Sequence, residues 1–123
     1  MTTQEVADQL VSLCREGKHQ EAYGLYAKDA WSVEMPGVPN EKTQGIDNIL
    51  KGYEQWASSI EEMHGGSIGD PVVAGNHFTV PMISDVTFKG MGRCKMEEVC
   101  VYEVEDGKIK KAQFFYDPSI FGG

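Results

Sequence analysis

Residues 96–117 read MEEVCVYEVEDGKIKKAQFFYD. Met96, Glu98, Cys100, Tyr102 and Val104 fall on one face of an extended segment, with Glu97, Val99, Val101 and Glu103 on the other. That period of two belongs to a strand with one covered face. Asp106-Gly107 is a two-residue hairpin signal, because the favoured turn needs positive φ at both central positions. A last strand over 108–117 follows, with Ala112, Phe114 and Tyr116 on one face, and Pro118 ends it.

Upstream the strand pattern continues. Phe78, Val80, Met82, Ser84, Val86 and Phe88 alternate over a long strand between the Gly75-Asn76 and Gly90-Met-Gly92 turns. Gly65, Gly66, Gly69 and Pro71 mark an irregular, bulged strand after Glu61. The first half has helical period instead. Thr2 and Glu5 have capping-box spacing, and Val6, Leu10, Leu13 and Cys14 share one helix face up to a stop at Gly17. A second helix is predicted over 18–29 and a short strand over 31–35. A polar loop then runs through Gln44, opened by Pro36 and Pro39. Ile46, Ile49, Leu50, Tyr53, Trp56, Ala57 and Ile60 form the clearest amphipathic helix. Helices first and an antiparallel meander second is an α+β order, with the helices gathered on one sheet face.

The chain has 123 residues, the length of one domain, and ordinary globular composition. A net charge of −8 leaves no cationic stripe for a nucleic-acid backbone or an anionic membrane. Three cysteines do not make a disulfide framework, and they fit a reducing compartment. The first ten residues have no leader pattern, so the expected setting is cytoplasmic. The sequence has no phosphate loop, no G-x-S-x-G elbow and no paired Cys motif.

Three segments carry a family resemblance. GKHQEAYGLYAKDAWSVEMPG (17–37) resembles the helix–helix–strand opening of the nuclear transport factor 2-like superfamily. TQGIDNILKGYEQW (43–56) is similar to its third helix, and VYEVEDGKIKKAQFFYD (101–117) to its final hairpin. The nearest branches are the SnoaL-like (polyketide-cyclase-like) and ketosteroid-isomerase-like proteins. The resemblance implies one domain over 1–123, with three N-terminal helices packed on a curved antiparallel sheet. Such a domain is a cone-shaped, cystatin-like α+β barrel. It also implies a homodimer through the outer sheet face, where Val99 and Val101 lie. In the ketosteroid-isomerase branch a general base ends the first short strand, which corresponds here to Glu34 or, counting back from Pro36, to Met35. That branch's two oxyanion donors fall on Leu10 and Cys100, which cannot replace them, so this chain is not an orthodox ketosteroid isomerase. Its apolar pocket positions fall on Met82, Val86, Phe114 and Tyr116.

The candidate catalytic residues are Glu34, Glu98 and His64. Glu34 sits by Pro36 at the expected mouth of the cone, near Trp31 and Met35, where apolar walls raise a carboxyl pKa. A solvent-facing strand-end Glu is the alternative. Glu98 shares a face with Met96, Cys100 and Tyr102, so it is either a second inward carboxylate or a charge at an edge or interface. His64 titrates near neutrality as a residue type and could serve with an acid, or it is a surface residue. Candidate ligand contacts are Trp31, Met35, Trp56, Met82, Cys100, Tyr102, Phe114 and Tyr116, while Asp85 faces away. No metal site is expected, since neither His64 nor His77 has a ligand at metal spacing, and no cofactor is expected.

Two functions follow. One is a cofactor-independent isomerase, cyclase or lyase that moves a proton on a small hydrophobic ligand with Glu34, aided by Glu98 or His64. The other is a non-catalytic ligand-binding or dimerisation module of the same fold.

Overall fold

The computed structural model of the chain describes residues 1–121, with side chains through Ser119. Helix α1 spans Thr3–Arg15, and its N-terminus carries the reciprocal Thr2–Glu5 capping box. Helix α2 spans only His19–Tyr23, and strand β1 already starts at Tyr26, running Tyr26–Val33. The predicted helix over 18–29 is therefore half as long. A spacing of four, as from Tyr26 to Ala30, satisfies a strand's period as well as a helix's. Here a bulge against the last strand keeps both residues buried.

The expected loop through Gln44 holds a short strand, β2 (Lys42–Gln44), antiparallel to β1. Helix α3 spans Ile46–Ser58 and stops before Ile60, which opens β3 (Ile60–Ile68). β4 (Val72–Ala74), β5 (His77–Phe88), β6 (Gly92–Glu105) and β7 (Lys108–Tyr116) follow, with a 3₁₀ turn at Pro118–Phe121. The strand order is β2-β1-β7-β6-β5-β3, with β4 beside β5. The architecture is the expected α+β one, an open curved sheet under three helices. The sheet is mixed rather than wholly antiparallel, since β1 runs parallel to β7. That pair joins strands some 80 residues apart, which a nearest-neighbour meander does not anticipate. β3 is bulged as expected, with register shifts on either side of Met63.

Even-numbered residues of β5 and β6, and Ala112, Phe114 and Tyr116 of β7, face the helices, while a register shift at Glu103/Val104 goes with an inward Ile109 at the start of β7. The inner face buries two apolar clusters. The larger joins α1 and α2 to Phe78, Val80, Cys100, Tyr102, Ile109 and Ala112, and the smaller holds Val86, Phe88 and Met96 under Trp56 and Ile60. Between them, the inner positions of β5 and β6 are Met82, Ser84 and Glu98. Among the described residues, no helix is long and apolar enough to cross a membrane.

Candidate functional site

The break between the two clusters is where polar side chains meet the interior. Glu98 lies on β6 between Met96 and Cys100, both buried, with Met82 opposite it on β5 and Tyr116 opposite it on β7. Glu34 follows β1 directly, and its backbone N–H donates to the Glu41 carbonyl at 2.7 Å, extending the β1–β2 pairing by one rung. Its side chain meets Tyr116, whose hydroxyl donates to Glu34 Oε2 at 2.9 Å. The Met35 backbone N–H donates in turn to the Tyr116 oxygen. The parallel β1–β7 pairing is what brings these residues together, placing Val33 beside Gln113.

The electrostatics separate the two carboxyls. Burial raises the Glu34 pKa, and the Tyr116 hydroxyl works against that by stabilising the anion. Among the described residues, none gives Glu98 such a donor. Burial first, and the Glu34 charge second, push its pKa up to about 7. No described residue donates a hydrogen bond to Glu98, yet no buried side-chain oxygen is left unpaired. Its oxygens are therefore reached from solvent-accessible space, although most of the side chain is covered. Burial and the neighbouring Glu34 also raise the Tyr116 pKa, so its proton stays in place.

Aromatic rings run in a continuous series from α2 through α3 to β5. Tyr23, at the end of α2, packs on Tyr26 at 5.2 Å and on Tyr53 at 5.4 Å, and Tyr53 continues to Trp56 and Trp56 to Phe88, each at 6.3 Å. The Tyr23 pKa is raised by burial first, with smaller contributions from Tyr53, Cys14, Glu34 and Glu98. Sequence reading passed over Tyr23, which looked like one more residue of a longer second helix. It also passed over Ser84, although the alternation of β5 puts it on the inner face.

The remaining candidates divide. Met35, Met82 and Phe114 are half-buried around the carboxyls, the latter two against the larger cluster. Trp56 belongs to the smaller cluster. Cys100 and Tyr102 lie in the core floor: Cys100 is fully buried, with its thiol pKa pushed up, and Tyr102 stacks on Phe78 at 4.7 Å. Two placements differ from expectation. Trp31 is 39% exposed on the outer sheet face, paired with Gln44 and Lys111, because β1 alternation turns Ala30, not Trp31, inward. His64 also lies on the outer face. The β3 bulge swings it against Thr87, at 2.6 Å from His64 Nε2 to Oγ1, with Glu62 at 3.9 Å, and not beside Glu34 or Glu98. Asp85 faces out as expected, and Arg93 grips it bidentately at 2.9 and 3.0 Å.

Two surface hollows lie elsewhere. One of about 420 Å³ borders α1, where Arg15 is already engaged with the Ile68 carbonyl and Asp70. The other, about 100 Å³, is on the outer sheet face among His77, Val101 and Lys111. Among the described residues, no group of three or more Cys, His, Asp or Glu side chains is arranged to hold a metal.

The family model for the SnoaL-like domain matches residues 1–116. A solved protein from Mesorhizobium loti is 36% identical, over 94% of this chain and 100% of its own, with a TM-score of 0.85. It carries the provisional name SnoaL-like polyketide cyclase, with carbohydrate phosphatase in brackets. An NTF2-like protein from Burkholderia thailandensis is 15% identical over 99% of this chain and 95% of its own, with a TM-score of 0.85. A Xanthomonas campestris protein with a cystatin-like fold is 17% identical over 94% and 91%, with a TM-score of 0.79. These last two likenesses establish the shared fold. No curated protein matches the sequence.

Proposed function

The chain belongs to the SnoaL-like domain family, within the nuclear transport factor 2-like superfamily, and from that premise we propose that it is a cofactor-independent isomerase, cyclase or lyase of a small, largely hydrophobic ligand. The observation that supports this reading is Glu98: a mostly covered carboxyl, reachable from solvent, with its pKa near 7. A general acid or base works best when its pKa lies near the operating pH. In this reading Glu98 takes a proton from the ligand and returns it. Glu34, held by Tyr116, adds to the burial that raises the Glu98 pKa. This exchanges the two carboxyls' roles relative to the sequence expectation, which put Glu34 first as base. Leu10 and Cys100, both buried and apolar, offer no hydrogen bond to a developing oxyanion. The Tyr116 proton is already given to Glu34, so that donation falls to Glu98 once it has taken the ligand's proton. The Mesorhizobium protein's name points to the same reaction class.

The missing donors at Leu10 and Cys100 also favour a second reading, a non-catalytic ligand-binding module. Hydrogen–deuterium exchange at the α-carbon of a hydrophobic cyclic ketone such as 2-tetralone separates the two. The acid/base reading expects exchange above the buffer rate that is lost in Glu98→Gln. Equal exchange in both proteins removes Glu98 from the mechanism and leaves the binding module.

The same proposal includes a homodimer. Val99, Phe115 and Trp31 are exposed on the outer face, and Val99 and Phe115 are direct cross-strand partners. An apolar strip of this kind on a charged sheet suits a second copy. The acidic chain and its three free cysteines fit a cytoplasmic setting.

A further inference from the structure

The outer face of the sheet carries its charges in a definite order. On β6, Arg93, Lys95 and Glu97 point out on one side of Val99, and Val101, Glu103 and Glu105 on the other. Both cations therefore stand at one end of the strand and two carboxylates at the opposite end. The neighbouring strands extend these rows. Asp85 lies beside Lys95, Pro81 and Phe115 lie beside Val99, and His77 and Lys111 lie beside Glu103. The middle of the face is apolar, with Val99 and Phe115 exposed. Some of the flanking charges are held within the chain, Arg93 by Asp85 and Glu105 by Lys110. Lys95 reaches Glu97 only at 3.9 Å, and among the described residues Glu103 is in no ion pair.

Resting on the homodimer reading above, we propose that the second copy docks on this face with its β6 antiparallel to the first. The two-fold axis then lies between the two sheets and crosses β6 at right angles by Val99. This register sets Lys95 over the partner's Glu103 and, further out, Arg93 toward the partner's Glu105. Each contact occurs twice, because an isologous interface uses the same patch on both copies. On β5 the same rotation sets His77 over the partner's Asp85. Val99 and Phe115 meet their own counterparts at the centre. Sheets packed face to face lie about 10 Å apart, a gap that extended Lys and Glu side chains close from both sides. The other aligned arrangement has the axis along β6 and stacks each residue on its own copy. It sets Lys95 on Lys95, Glu97 on Glu97 and Glu103 on Glu103, and like charges across a contact repel. One apolar patch thus admits two registers, and the order of charges along β6 selects between them. A uniformly acidic or basic partner protein fits worse, since this face presents both signs at opposite ends.

The test is sedimentation equilibrium of the full chain at neutral pH and low ionic strength, on the wild type, Lys95→Glu, Glu103→Lys and the double variant. Each single reversal should weaken self-association by about tenfold or more, since it turns two attractive pairs into repulsive ones. The double variant should recover the wild-type dimer. An equimolar mixture of the two single variants should recover it too, because opposite charges face each other again in the mixed pair. In about 1 M salt the single variants should move back toward the wild type. A wild-type dimer that both single reversals leave intact overturns the register and leaves the homodimer reading in place. Single reversals that weaken the dimer without recovery in the double variant or the mixture overturn the register as well. A wild type that stays monomeric overturns both readings.

Discussion

The Tyr116 hydroxyl donates to the Glu34 carboxylate at 2.9 Å across 82 residues of sequence, and this bond opposes the rise in pKa that burial gives Glu34. Tyr116→Phe removes the donor while keeping the ring. The Glu34 pKa should rise further, because the burial that already raises it would act unopposed. The lost bond is expected to cost about 1–2 kcal/mol of stability. Carboxyl carbon-13 titration and urea unfolding at neutral pH measure the two effects.

Glu98 should titrate near pH 7, far above the ordinary glutamate value of 4.5. Burial is the larger cause and the Glu34 charge the smaller. Glu34→Gln should therefore lower the Glu98 midpoint without returning it to 4.5. A Glu98 midpoint indifferent to Glu34→Gln would mean that the two carboxyls do not sense each other.

The same shift makes stability depend on pH in a definite direction. Glu98 has its folded pKa raised, so folding favours the protonated form. Its contribution is fully present below 4.5 and is lost as pH rises through about 7. Glu98→Gln should match the wild type near pH 4 and exceed it at pH 8 by on the order of 2–3 kcal/mol, the size of a shift of this kind. Urea unfolding of both proteins across pH 4–8 isolates the effect, since their other titrating groups are common to both.

Phe115 and Val99 face each other across β6 and β7, 43% and 45% exposed. If a second copy covers them, Phe115→Glu should shift the chain to monomer in light scattering, and folding of the monomer should change by less than about 0.5 kcal/mol at this exposed site. A wild type that stays monomeric at all concentrations would remove the dimer.

Gly66 pairs with Ser84, and a Cβ there would run into the Ile83 carbonyl oxygen. Gly66→Ala must push β3 off β5 at the bulge, at a cost of about 1–3 kcal/mol. Thermal unfolding that leaves Tm unchanged would mean the bulge relaxes freely.

Local regularities in the sequence set α1, most of α3 and the long strands β5, β6 and β7. Alternation from Met96 to Val104 put Glu98 in phase with Cys100 and Tyr102 but left open whether that face was inner or an interface, and the alternation of β5 put Asp85 opposite Met82 and Val86, because a strand's side-chain period comes from its own backbone. The Thr2–Glu5 box and the apolar stripe of α3 set helix starts in the same local way. The tertiary structure decided what depends on register between distant segments. Only the parallel β1–β7 pair brings Glu34 to Tyr116. The bulge in β3, visible as Gly65-Gly66, gave no sign of which face His64 would take, because one inserted residue reverses the alternation. The near-neutral titration of Glu98 likewise arises from burial and a neighbour 64 residues away, quantities that no spacing along the chain contains.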